Sequence, residues 1–426
     1  MLKKIKEIFS IPDLRKKIFI VAGLLVFFRL LSAIPLPGVN IEALKNLLEA
    51  NNMFGLMNIF SGGSFDNMSI ALLGVGPYIT STIILQLLTM IFPRLKEIYY
   101  EEGAAGRAKF NKLSRFLTLP LAVIQTYSLL AFLVSQGVMP AFGFLDFTLW
   151  LNILTAVAGS MILLWVGELI DEQKLGNGVS LIILAGIVSG FPSSIKNVWF
   201  QVSQGLMGIE SVLIFAVLAL VVTAAVVFIN RGEHKIPVTY PKRARGGHFI
   251  GGASSYLPIR VNQAGVIPII FAIAIMSFPQ MAGQIIASIF PNGAAINETI
   301  IRFMNNQIAY GVIYFLLVLI FTYFYTTIVF DSEEVSKNLA RSGGFVPGIR
   351  PGEPTSDYIS AITSKVTLFG AVSLAMIAIL PIVTQAFIGQ SFRIGGTTLL
   401  IVVSVALESV GQIDSQVKMR EYDPVV

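Results

Sequence analysis

The sequence predicts an all-α polytopic membrane protein, with ten transmembrane helices in two inverted five-helix halves. Three observations predict it. Hydrophobic residues make up 55 % of the 426-residue chain and charged ones only 13 %, about half the charged fraction of a soluble domain. Apolar runs of ~20 residues recur, each long enough at ~1.5 Å per residue to cross ~30 Å of hydrocarbon. Of the 30 lysines and arginines, 25 fall on alternate connecting segments or the span edges beside them. A β-barrel would instead alternate apolar and polar residues over ~10 positions, a pattern the chain lacks.

The spans are predicted near 17–34, 75–92, 114–135, 148–169, 179–196, 209–229, 262–288, 306–330, 361–386 and 395–413. A basic N-terminus leads into Ile18–Leu31 with no small-residue cleavage site behind it, so this reads as a retained first span. Arg29 lies near its outer end, within snorkelling reach of water. Pro35, Pro93, Gly176 and Gly178 mark boundaries. Pro120, Pro268, Pro279 and Pro381 fall inside spans, where each is expected to kink its helix.

Basic residues set the orientation. The N-terminus, 93–113, 170–178, 230–261, 331–360 and the C-terminal tail are rich in them, while the opposite side holds only Lys45, Lys196, Arg302 and Arg393. Both termini are therefore expected in the cytoplasm, which requires an even number of spans. Ten spans divide into halves at 1–200 and 201–426, and an odd-numbered unit used twice must be inverted.

One stretch breaks the pattern. FSGGSFDNMSIALLGVGPYI, Phe60–Ile79, carries an apolar segment too short to cross a bilayer. Ser64–Leu73 could form a helix of about three turns, ~15 Å long. Irregular backbone at membrane depth is tolerated where it is buried in protein or lines a wet cavity, which suits a re-entrant half-helix entering from outside. An ordinary outer loop lying on the membrane surface fits the pattern equally. Gly74-Val75-Gly76-Pro77 then re-aims the chain into the second span, with Pro77 suited to a first turn.

Chemistry is sparse. The chain has no cysteine, which removes disulfides and thiolate sites, and both histidines, His234 and His248, lie in a cytoplasmic loop. Glu168 and Glu408 sit near cytoplasmic span ends, leaving the midplane without the carboxylates, lysines or histidines that ion-coupled transporters use. No phosphate-binding loop of Walker type is present. KLGNGVS, 174–180, reads as a tight turn and helix start. The expectation is a non-enzyme without cofactor or metal, whose central path is lined by aliphatic side chains that hold back ions by dewetting. A secondary transporter for an apolar solute would share ten spans, but it fits the basic loops less well. An intramembrane enzyme fits poorly, because the chain has no cysteine, no in-span histidine and no paired in-span aspartates.

Two basic loops look shaped for contact. RGEHKIPVTYPKRARGGHFIGG carries Arg231, Lys235, Lys242, Arg243 and Arg245, and SGGFVPGIRPGEPT (342–355) fixes a turn around Arg350. Such loops serve as topology determinants and contacts for anionic lipids. They are also candidates for docking an acidic partner or ribosomal RNA.

FSGGSFDNMSIALLGVGPYITSTIILQLL, GNGVSLIILAGI, VNQAGVIPIIFA, SGGFVPGIRPGE and GGTTLLIVVSVALE together resemble the SecY family of protein-conducting channels over essentially the whole chain. The resemblance implies two halves opening like a clamshell around an hourglass pore in the bacterial cytoplasmic membrane. It implies that a re-entrant plug helix seals the pore, formed by Phe60, Ser61, Gly62, Gly63, Ser64, Phe65, Asp66, Asn67, Met68, Ser69, Ile70, Ala71, Leu72 and Leu73. The pore ring falls by motif position on Val75, Ile79, Val179, Ile183, Ile270 and Ile401. Within it, 75/79 and 179/183 share a helix face by their i,i+4 spacing. A lateral gate is implied between the second and third spans and the seventh and eighth. Through it signal peptides and apolar nascent segments would leave sideways. Implied partners are the small subunits SecE and SecG, the motor ATPase SecA, a translating ribosome and anionic lipids. Arg231, Lys235, Lys242, Arg243, Arg245, Arg341 and Arg350 are the implied docking residues for SecA or the ribosome.

Overall fold

The protein is described by a computed structural model over residues 10–40, 44, 64, 68–100, 102–141, 143, 146–205, 208–240, 243–245, 248–250, 254–289, 293–388 and 396–421. Ten helices coincide with the ten predicted spans. They are α1 (Pro12–Leu31), α2 (Gly76–Ile91), α4 (Gly103–Ser135), α5 (Phe147–Glu172), α6 (Gly178–Ser203), α7 (Ile209–Arg231), α8 (Ile267–Ile289), α10 (Gln307–Val329), α12 (Glu353–Ile388) and α13 (Gly396–Glu421). Three shorter helices go beyond the expected set: α3 (Pro93–Tyr100), α9 (Gly293–Asn305) and α11 (Ser332–Arg341).

Local chemistry explains several ends. α1 opens with a proline in its first turn and Asp13 beside it, and closes with Arg29 in its last turn, so both charges match the helix dipole. Phe92 is extended, as a residue before proline prefers, and a 114° bend separates Gly76–Thr89 from Pro93–Tyr99. Pro120 and Pro279 lie inside α4 and α8. Pro268 does not: α8 begins at Ile267, so the ring sits in the first turn, where a missing N–H interrupts nothing. The expected kink there is absent for that reason. Asp331 caps α11 by accepting from the backbone N–H groups of Glu333 (2.9 Å) and Glu334 (3.1 Å).

Lipid gives helices little hydrophobic reason to pair, so close approach at small residues does the work. A β-carbon on Gly178 would collide with the Gly167 carbonyl oxygen, and one on Gly370 with that of Val261. Within the first half α2 packs on α4, α4 on α5, α5 on α6, and α1 on both α5 and α6. Within the second, α10 packs on α8 and α12, and α7 on α12 and α13. The halves meet along two seams. In one, α8 lies against α2 and α4; in the other, α13 lies against α6. A single apolar cluster runs through both halves.

The described residues between α7 and α8 include four short strands. β1 (Glu233–Thr239) pairs antiparallel with β4 (Ser254–Arg260), in a register that sets Glu233 opposite Arg260. β2 (Arg243–Arg245) pairs with β3 (His248–Ile250) at its tip.

Candidate functional site

The site begins with the segment that precedes α2. A short helix was expected over Ser64–Leu73, but residues 68–75 form consecutive turns around one bridge. Backbone chemistry accounts for the difference. Met68 and Gly74 both sit at positive φ, 44° and 57°, which a continuous right-handed helix excludes. Leu72 N–H and Gly74 N–H close local turns onto Ser69 and Ala71, and other backbone groups bond sideways. Leu36 N–H donates to the Met68 carbonyl at 2.8 Å and Ile70 N–H to that of Ile34 at 2.9 Å, with Pro35 bridging Ser69. The segment is thereby stitched to the chain that leaves α1. Ser32 Oγ, buried in that chain, lies 2.7 Å from Ser64 Oγ. Phe60–Gly63 and Phe65–Asn67 lie outside the described residues.

α5 holds the other side. Ser160 Oγ donates to the Gly74 carbonyl at 2.9 Å. Gly159, one residue earlier, leaves the gap that the Ile70 carbonyl enters. Met68 and Leu72 are buried in a cluster with Leu130 and Leu133 of α4 and Ile153 of α5, whereas Ala71 belongs to the large cluster shared by both halves. This short stretch therefore joins the two apolar regions.

Val75 and Ile79 follow directly, at the cap and first turn of α2. Both are buried, as are Ile183, Ile270 and Ile401; Val179 is half-buried, and all six meet the same cluster. Each sits within the first two turns of its helix or on its cap. The start of α6 is held firmly. Asn177 Oδ1 accepts from Ser180 N–H at 3.0 Å, and Asp171 Oδ1, reaching from the end of α5, accepts from Gly178 N–H at 2.7 Å. Two acceptors thus satisfy the open N–H groups of the turn that carries Val179 and Ile183. Asp171 was not a candidate from sequence. Its place one turn before the Gly-Asn-Gly turn is the signal that could have found it.

The seam beside this centre has small polar links on one side and aromatic contacts on the other. Ser81 Oγ of α2 donates to the Ser114 carbonyl of α4 at 2.6 Å, and Gln125 Nε2 of α4 reaches Thr80 Oγ1 at 3.4 Å. Across the seam Phe271 of α8 meets Phe321 and Tyr325 of α10 edge-on, with centroids at 5.9 and 6.1 Å. Arg115, a third of the way along α4, pairs at 2.5 Å with Glu168 near the end of α5, both partly exposed. Among the described residues, no three His, Asp or Glu side chains gather where they could hold a metal ion.

The two basic loops form one platform. Thr239 and Phe345 exchange both backbone hydrogen bonds, N–H of each to the carbonyl of the other, at 2.9 and 3.0 Å. Beneath them Ile236 of β1, Ile259 of β4, Val346 and Ile359 make a small core of their own. Arg350 is exposed, and its carbonyl accepts from Thr355 Oγ1 at 2.7 Å, so the turn is held while the guanidinium stays free to reach outward. Arg231 and Arg341 are exposed in the last turns of α7 and α11. Lys235 is exposed and pairs with Glu233 at 3.2 Å. Arg243 and Arg245 lie on β2, and Lys242 falls outside the described residues. The hairpin was missed as a strand signal because the pairs Ile236/Val238 and Leu257/Ile259 are each interrupted by a proline, Pro237 and Pro258, which argues against a strand.

A profile of the SecY family matches residues 69–410. The chain belongs to the SecY family. The protein translocase subunit SecY of Thermotoga maritima is 40 % identical over 433 residues, covering 99 % of this chain and 97 % of that protein. Among solved structures, a protein-conducting channel aligns with a TM-score of 0.67 at 19 % identity, covering 94 % of this chain and 92 % of that one. Sec61 from a canine ribosome–channel complex of the endoplasmic reticulum aligns with a TM-score of 0.65 at 18 % identity, with the same coverage. The SecY match takes in all six aliphatic centre residues and both loops of the platform. It begins at Ser69, inside the turn-rich segment.

Proposed function

We propose that this chain is the channel subunit of a protein translocase, passing unfolded polypeptides through its apolar centre and releasing hydrophobic segments sideways without chemistry of its own. One observation carries the reading. The chain does not run straight into α2: a stitched, turn-rich segment, 68–75, delivers it into the apolar cluster shared by both halves, at Val75 and Ile79.

In this reading Val75, Ile79, Val179, Ile183, Ile270 and Ile401 form a constriction that yields to a chain yet dewets when empty. The stretch Phe60–Leu73 is the plug, and its described residues are held against α5 and the exit of α1. Because the carbonyls of Met68 and of Gly74, the residue that follows the stretch, are each bonded to other parts of the chain, displacing it breaks a few discrete links rather than a continuous helix. The α8 seam against α2 and α4 is the lateral gate, and the contact of α13 with α6 is the hinge about which halves 1–200 and 201–426 part. A signal peptide carries only ~7–15 apolar residues, so its exit through that gate into lipid is marginal and sequence-sensitive.

The platform faces the cytoplasm of a bacterium, with both termini on that side, and presents Arg231, Lys235, Arg341 and Arg350 to SecA or to ribosomal RNA. The relative solved with a ribosome supports the second partner. SecE and SecG occupy part of the apolar exterior; α7, only 12 % of whose span is buried within the chain, offers them the widest face.

The deciding experiment places asparagine at Ile401 or Ile270 in the reconstituted complex. Secretion of a reporter with a defective signal sequence should rise, and resting ion conductance with it. Unchanged export together with unchanged leak would remove the constriction from these positions.

A further inference from the structure

Between the seventh and eighth spans lies α9, which the spans themselves do not need. It starts four residues after α8 ends and stops two before α10 begins, so it sits at the end of the bundle that also holds the 68–75 segment. Its three sides differ in chemistry. Gly293, Asn297, Ile300 and Met304 recur at 4, 3 and 4 residues and face protein. Met304 is buried in the main cluster, Ile300 packs on it, and Asn297 and Ile300 come up against Gly283 of α8. A second side is charged: Glu298 and Arg302 pair at 2.8 Å with both side chains well exposed.

The third side is the unexplained one. Ile296 and Phe303 are seven residues apart, which places them within ~20° on the wheel, and both stay about half exposed, at 49 % and 51 %. Ile308 and Val312, at the start of the next helix, α10, are also apolar and exposed, at 79 % and 54 %. A helix with one apolar edge, one charged edge and its ends fixed to two spans has the features of an interfacial helix.

We propose that α9 lies at the outer membrane interface with Ile296 and Phe303 among outer-leaflet acyl chains, and that it transmits the state of that leaflet to α8. Transmission follows from how tightly the two helices are joined. A β-carbon on Gly283 would come within 2.8 Å of Asn297 Oδ1, and one on Gly293 would collide with the Ile286 carbonyl. α8 and the first turns of α9 therefore move as one body. A thicker outer leaflet, pulling on the Ile296–Phe303 edge, tilts the helix that closes the seam. This second step rests on the lateral-gate reading; the lipid contact does not.

The chain has no cysteine, so single cysteines at 296, 298, 302 and 303 can be spin-labelled in the intact complex, reconstituted in phosphatidylethanolamine–phosphatidylglycerol vesicles. The ratio of oxygen to water-soluble nickel collisions should be several-fold higher at 296 and 303 than at 298 and 302. A nickel-dominated label at 303, or labels at 296 and 303 shielded from both reagents by protein, overturns the lipid contact. Coupling is read separately, from the distance between labels at Ile124 of α4 and Ala282 of α8. It should shift between vesicles of short and long acyl chains, and Ile296→Asn with Phe303→Asn should abolish the shift. If the parent shows no shift although a trapped substrate still separates the labels, coupling fails and the gate stands. If neither lipid nor substrate separates them, the gate reading itself is wrong.

Discussion

The carbonyl oxygen of Ile70 fills the space that a β-carbon on Gly159 would need. Residue 159 is thus confined to glycine while the 68–75 segment stays in place, and this gives a graded handle on unseating it. Gly159→Ala overpacks the contact by about 1–3 kcal/mol, which shifts the seated-to-unseated ratio by roughly 5–150-fold. Ser160→Ala removes only the bond to the Gly74 carbonyl, about 1 kcal/mol. Planar-bilayer recordings without substrate should therefore rank resting conductance as parent, then Ser160→Ala, then Gly159→Ala. A Gly159→Ala channel as quiet as the parent would show that the segment does not seal the path.

Asp171 makes a second prediction at the start of α6. It accepts from Gly178 N–H, directly before the turn that carries Val179 and Ile183. Loss of a capping acceptor costs about 0.5–2 kcal/mol. Asp171→Ala should therefore speed amide exchange at 179–183 by about fivefold for each kcal/mol lost. Asp171→Asn keeps an oxygen and loses the charge, so it should fall between. Equal protection in all three proteins would mean that Asn177 alone holds the turn.

The ten helices at the predicted spans were legible because each carries an apolar run punctuated by proline, glycine and charge, and among the described residues seven of them are long and apolar enough to cross a membrane. The segment before α2 was half legible. Its length and glycines announced that it could not span, but its turns arise from bonds to Ile34 and Leu36, partners more than thirty positions away that no local pattern encodes. Ile183 and Ile401 were singled out only through motif resemblance, since their burial in the apolar cluster is that of any core isoleucine. The β1–β4 hairpin hid behind charged residues, because its buried face is only Ile236 and Val238 on one strand and Ile259 on the other. Helix α9 hid for a similar reason: its apolar residues are split between two faces.

The Arg115–Glu168 pair is a case where a short distance should mean little. The contact is 2.5 Å, but the side chains are 49 % and 27 % exposed. Pairs in such settings contribute about 0–1 kcal/mol, because water screens both partners. A double-mutant cycle with Arg115→Gln and Glu168→Gln, read by thermal unfolding of the detergent-solubilised complex, should give a coupling below about 1 kcal/mol. A coupling well above that would place the pair in a drier setting than its exposure indicates, and would make it part of the α4–α5 scaffold.

The platform yields the prediction that separates architecture from contact. Thr239 and Phe345 lock the two basic loops together, whereas Arg350 projects from the turn beyond. Phe345→Pro deletes an N–H donor and one of the two locking bonds, a loss of about 0.5–1.5 kcal/mol, and should raise amide exchange at 236–239. Arg350→Glu reverses a charge without touching the lock, so exchange there should stay as in the parent. Both variants should bind SecA more weakly, for different reasons. Arg350→Glu should slow association and flatten its dependence on salt, since an exposed charge acts mainly through steering. Phe345→Pro should leave the salt dependence and accelerate dissociation, because the charges remain while their common support loosens. If Arg350→Glu binds SecA with the parent's rate and salt slope, the turn is not where the motor docks. If Phe345→Pro raises exchange yet leaves dissociation unchanged, the loops act independently.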